Sequence, residues 1–290
     1  MKLELTLSKE AISKYFSILM TDKNARLRIC NNILVTSNEL VENWSVFLEK
    51  INLKEQFEQW FYTEAISTEQ YIKKVEIIEA TDENDIIIKT CDSSRDKIIV
   101  ADNNIIPANK RNSFKFVSNV DFNKDKCQRI KVQDIEKVYC RNICNDIFSL
   151  YEEPIVIDVS LNSNSKVLAE YLSKFYENTF QFIIRDMYLC NTENLRNFQK
   201  YILPYLDKQN CNIIIQLHWD NSNDKNRMES IFNNMLGYNI KLINISNEKY
   251  MHESFIESDE YKFNIGYRMR LFGDIDDGLT EQDLITITKK

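Results

Sequence analysis

The stretch LRICNNILVTSNELVENWSVFLEK, residues 27–50, compresses a change of secondary structure into a few positions. Leu27 to Val35 reads as a short strand. Thr36-Ser37-Asn38 then offers side-chain oxygens to the first amides of a helix over Glu39 to Lys50. Upstream, Leu3, Leu5 and Leu7 alternate with polar residues and predict another strand, after which Ser8 caps a helix to about Met20. Downstream, helical segments are expected at about 53–65 and 67–79. Thr81-Asp82-Glu83-Asn84-Asp85 sets acids at the positive end of a further helix, and Lys97 to Ala101 is a strand ending at Asp102. Strands separated by helices predict an α/β domain with a buried sheet, and such sheets hold ligands at the carboxyl ends of their strands.

Composition narrows the function classes. The chain has 290 residues and only four glycines, at 237, 266, 273 and 278, so the first 236 residues contain none. A P-loop, a dinucleotide-binding turn and a kinase glycine-rich loop all need glycine where the backbone closes on a phosphate, and all are excluded there. Seven scattered cysteines without a leader-like apolar run predict reduced thiols and a cytoplasmic setting. No stretch approaches the roughly 20 apolar residues of a membrane helix.

Charge changes sign along the chain. Residues 51–102 carry 6 Lys/Arg against 12 Asp/Glu, a balance of −6, whereas residues 110–131 carry 7 against 2, a balance of +5. The switch predicts a boundary, with a first domain over 1–109, a basic connector over 110–129 and a second domain over 130–290. The basic run is read either as a solvated connector or as a strip for nucleic-acid phosphates, with Phe114, Phe116 and Phe122 available for base stacking.

Acids from separate segments meeting at one sheet edge would repel unless a divalent cation neutralised them. Glu39 and Glu42 open one helix, Asp85 opens another, and Asp102 ends a strand. Together with "ILVTSNELVENWSVFLEKI" at 33–51, the segment "DENDIIIKTCDSSRDKIIVADNN" at 82–104 resembles the PIN-like nucleases. The resemblance implies a three-layer α/β/α fold. It also implies catalytic, metal-binding roles for Glu42, Asp85 and Asp102 with Mg²⁺ or Mn²⁺. The family's first aspartate is missing, since Leu5-Thr6-Leu7-Ser8 stands in its place between Glu4 and Glu10. Either Glu10 substitutes in part, or the fold is retained with reduced or no activity.

From residue 128 the alternation restarts, with helices expected at 132–150, 165–176, 193–206 and 226–236 and strands at 154–161, 180–189, 212–217 and 240–245, predicting a second α/β domain with parallel connections. The segment "MHESFIESDEYKFNIGYRMRLFG" at 251–273 spaces His252, Asp259 and Gly266 seven apart. That spacing resembles the phospholipase D superfamily, but Ser254 holds the lysine position and Tyr267 the serine position. It is more similar to the degenerate phospholipase D-like domain at the C-terminus of MIT-domain proteins. That resemblance implies binding of phosphate-bearing ligands or membranes without hydrolysis, with His252, Asp259, Gly266 and Arg268 as the phosphate-binding residues. His218 is the other histidine, and two histidines argue against zinc.

Three readings follow. The first is a metal-dependent nuclease acting on nucleic acid, RNA before DNA, with a second domain that senses, recruits or forms a homodimer, in the manner of a toxin or an antiviral defence effector. The second is a non-catalytic binding or scaffold protein in which both domains are degenerate. The third is phosphoryl chemistry at His252 across a homodimer.

Overall fold

A computed structural model describes every residue except 1, 17–22, 66–71, 142, 144–146, 236, 247–253, 267, 274–277 and 280–282. The chain divides into two compact α/β units: residues 1–126 with 137–151, and residues 127–136 with 152–290.

The first unit contains, in order, β1 Glu4–Leu7, α1 Lys9–Phe16, α2 Lys23–Asn31, β2 Ile33–Thr36, α3 Asn38–Lys50, α4 Lys54–Gln59, a π-helical segment Trp60–Ala65, β3 Ile72–Lys74, α5 Glu83–Asp92, β4 Ile98–Ala101, β5 Lys115–Ser118 and α6 Asn119–Phe122. Its sheet has the order β3-β2-β1-β4-β5, and every pairing is parallel. All five carboxyl ends therefore share one edge. As the central strand, β1 is covered on both faces, so Glu4 and Thr6 are buried along with Leu5 and Leu7. The predicted alternation of the strand would have left those two polar residues facing water.

Local capping follows the sequence. Ser37, with extended φ −114° and ψ 167°, accepts from the Leu40 amide at 3.2 Å and starts α3. Asp82 does the same for α5 through the Asp85 amide at 2.9 Å. Trp44 of α3 is fully buried, and its indole donates to the Leu7 carbonyl at 3.1 Å, tying α3 to the end of β1.

Two local expectations fail. Residues 27–31 belong to α2 rather than to a strand, because Ala25, Arg28 and Ile29 form a buried stripe at helical spacing. Within the expected helix at 67–79, residues 72–74 form β3 instead, and 66–71 lie outside the described residues. Sheet pairing with β2 outweighs helical propensity there.

The basic run differs from a connector in its first part. Lys115–Ser118 is the edge strand β5, paired with β4. Phe114 and Phe122 are buried in the core at 2% and 0% exposure, so neither is open for base stacking. Arg28 is also buried: its guanidinium donates to the Phe122 carbonyl at 2.5 Å and lies 4.6 Å from the Phe148 ring centroid.

The second unit contains β6 Ile130–Lys131, the start of α7 Val132–Arg141, β7 Ile155–Val159, α8 Ser165–Ser173, β8 Gln181–Arg185, α9 Thr192–Tyr201, β9 Asn212–Leu217, α10 Ser222–Asn233, β10 Asn239–Asn244, β11 Phe255–Glu257, β12 Tyr261–Asn264 and β13 Asp283–Lys289. The unit boundary falls within α7. The eight strands run in the order β10-β9-β8-β11-β12-β13-β7-β6. Pairing is parallel within β10-β9-β8 and within β7-β6, as the alternating helices imply. The last three strands insert antiparallel between β8 and β7 and make the sheet mixed. Gly237, at φ +89°, provides the left-handed turn between α10 and β10. No helix among the described residues is long and apolar enough to cross a membrane.

Candidate functional site

The carboxyl edge of the first sheet is built from the residues that end or follow its strands. After β1 come Ser8 and Lys9, the place where the resemblance to PIN-like nucleases implies an acid. The Lys9 ammonium donates to Glu83 Oε2 at 2.5 Å and lies 4.0 Å from Glu10 Oε1. Glu10, considered as a substitute metal ligand, thus shares an ammonium with Glu83 of α5.

The three predicted carboxylates have separate surroundings. Asp102 follows β4, as expected, and is exposed; its Oδ1 accepts a short hydrogen bond from the Asn119 side-chain amide, which follows β5. Asp85 lies in the first turn of α5. Lys89, with its ammonium 2.9 Å from Oδ2, and the Thr81 amide at 3.0 Å hold the Asp85 carboxyl below its ordinary value of 3.8. Glu42 is exposed on α3 and lines a cleft beyond the end of β2. Among the described residues no group of three or more His, Cys, Asp or Glu side chains is placed to hold a metal ion. Glu42, Asp85 and Asp102 are all described, so they form no carboxylate cage for Mg²⁺ or Mn²⁺.

The cleft at Glu42 encloses about 350 Å³. Thr36 lies at the end of β2, Asn38 and Glu42 on the first turns of α3, Phe61 and Tyr62 on the π-helical segment, and Lys74 at the end of β3. Phe61 is buried, whereas Tyr62 is 59% exposed, with the two rings edge to face at 5.2 Å. Thr36 is 1% exposed, and its Oγ1 is buried with no hydrogen-bond partner among the described residues. Ser37 beside it is doubly engaged, accepting from Thr90 Oγ1 at 3.0 Å as well as from the Leu40 amide.

No protein-family model matches this chain, and no curated protein is significantly similar to it.

In the second unit His252 lies outside the described residues. Asp259 caps the β11–β12 hairpin, where its two oxygens accept from the Phe180 and Gln181 amides at 2.7 and 3.1 Å. Both are backbone contacts that pin the start of β8, rather than contacts suited to an incoming phosphate. Gly266 follows β12, and a Cβ added there would lie 2.7 Å from Asp283 Oδ1. Arg268 opens a short 3₁₀ turn, Arg268–Leu271. His218, at the end of β9, is held between the Ile245 carbonyl and Asp220 Oδ1, each at 2.8 Å. Cys91 and Cys211 are buried free thiols pushed up to about 11 by burial, which removes them as nucleophiles.

Sequence reading did not single out Lys9, Glu83, Tyr62 or Lys74. A lysine directly after the first strand was the available signal for the first of these. Lys74 and the cleft wall were hidden because β3 read as helix.

Proposed function

We propose that this chain is a non-catalytic binding protein with RNA as its partner, the first unit keeping a PIN-like frame without the metal chemistry. One observation carries the reading. Where a nuclease would gather carboxylates after β1, Lys9 already supplies the positive charge between Glu10 and Glu83. A divalent cation would have to displace that ammonium and would find Asp85 and Asp102 engaged elsewhere. The RNA assignment is supported by Lys110, Arg111, Lys115, Lys124 and Lys126, all exposed or half-exposed in the region of the edge strand β5.

Calorimetry and a cleavage assay on the full chain test this together. We expect no saturable Mg²⁺ or Mn²⁺ heat and intact single-stranded RNA. We expect binding that weakens with salt at a log–log slope of about −2 to −3, as three or four phosphate contacts would give. Metal-dependent cleavage that disappears in Asp102→Asn would overturn the proposal in favour of the nuclease reading.

A further inference from the structure

We infer that the cleft between the end of β2, the first turns of α3 and the π-helical segment is a binding site for a nucleoside monophosphate group. The cleft's volume, about 350 Å³, falls within the range of small-molecule pockets. Its chemistry is divided in the way such a group requires. Tyr62 presents an exposed ring, set edge to face against buried Phe61, on which a planar base can stack. Glu42 supplies acceptor oxygens for sugar hydroxyls.

The lining sets one ammonium, Lys74, against one carboxylate, Glu42, so attraction for a phosphate comes from Lys74 together with the amino terminus of α3. Lys74 contributes an exposed ammonium, and α3 points its amino terminus at the same place. A helix leaves its first amides without partners inside the helix, and the Ser37 hydroxyl takes the amide of Leu40. Thr36 gives an independent sign of a ligand. Thr36 lines the cleft, and its buried hydroxyl has no hydrogen-bond partner among the described residues, an unmet bond that a bound group would complete. The carboxylate of Glu42 within the cleft and that of Glu39 in the first turn of α3 limit how much negative charge the site takes, favouring one phosphate over a di- or triphosphate.

This site belongs to the β3-β2 side of the sheet, whereas the basic strip is at β5 on the other edge. Variants at Tyr62 and Lys74 therefore leave the basic strip of the RNA reading untouched, and the two can fail separately. The nucleotide can be free or can be the phosphorylated end of a strand, and the test separates these.

Calorimetry on the full chain, in EDTA, would use the four common ribonucleoside 5′-monophosphates, the parent nucleosides, inorganic phosphate and a 5′-phosphorylated trinucleotide. At least one monophosphate should bind in the range of about 10–500 μM. Its nucleoside and inorganic phosphate should each bind at least about tenfold more weakly. Tyr62→Ala and Lys74→Ala, both at exposed positions, should each weaken binding about tenfold. Thr36→Val should weaken binding while raising the melting temperature of the ligand-free protein, a pair of opposite effects that a merely structural threonine would not give. Tighter binding of the trinucleotide, lost in the same variants, would support the site with a strand end as its ligand. Absence of monophosphate binding up to about 5 mM would overturn the proposal, as would affinities unchanged in both Tyr62→Ala and Lys74→Ala.

Discussion

Glu4 illustrates how a single charge is accommodated at the centre of a sheet. Its side chain is 10% exposed, and Oε2 accepts from Lys73 Nζ at 3.0 Å and from the Arg95 amide at 2.7 Å. Lys73→Ala would leave a largely buried carboxylate with the amide bond but no ammonium, at a cost of roughly 1–3 kcal/mol given that Lys73 is itself part-exposed. Glu4→Gln with Lys73→Met, which removes both charges and keeps an oxygen to accept from the Arg95 amide, should cost less than Lys73→Ala alone. Urea unfolding in a Trp219→Phe background, where Trp44 and Trp60 report on the first unit, measures both. Residue-scale chemistry was legible in the sequence where it is local. Ser37 and Asp82 each cap an amide three positions on, and both roles follow from the spacing. The pairing of Lys9 with Glu83 spans 74 positions and depends on the strand order, so no local pattern announced it.

At the scale of elements, the helices and strands whose burial matches their own periodicity were legible. β9 at Asn212–Leu217 has the expected bounds, and α5 and β4 lie where their caps and branched residues indicated. β3 was not, because three residues carry too little pattern and its strand character comes from its partner β2. The β11–β12 hairpin depends on Asp259, whose carboxylate holds the Phe180 and Gln181 amides. Asp259→Ala should cost about 2–4 kcal/mol, two charge-assisted bonds being lost. Hydrogen exchange should quicken first in β8 and β11. Equal protection of those strands in the variant and the parent would remove this role. Gly266 has a neighbouring dependency. Gly266→Val should turn the Asp283 carboxylate aside at a small cost, and Asp283→Ala in the same chain should remove that cost, as urea unfolding of the two variants would show.

At the scale of the whole molecule, both units bury groups that resist ionisation. In the first unit that group is the Cys91 thiol, and the phenol belongs to the second: burial raises Cys91 and Cys211 from 9.0 to about 11, and Tyr261 from 10.0 to about 12. Each group stays neutral in the fold after its unfolded counterpart has begun to lose its proton. Its contribution is therefore intact below about pH 9 and is lost as pH rises through 11 and 12. Thermal scans should show a level midpoint from about pH 7 to 8.5 and a fall above pH 9; Cys91→Ala should soften that fall for the first unit. The α/β class and the presence of two units were legible from the alternation of patterns. The mixed second sheet was not, because nothing local indicates that β11, β12 and β13 enter between β8 and β7.

The interleaving of the units along the chain bears on how the protein is made. Residues 137–151 complete the first unit, with Phe148 under the Arg28 guanidinium, and they follow a segment that belongs to the second. On the ribosome the first unit cannot close when residue 126 emerges and must wait for residue 151, a delay of roughly 1–5 s at about 5–20 residues per second. Through that interval the ring that will meet Arg28 is still inside the exit tunnel or just leaving it, and α2 is a nascent surface open to chaperones.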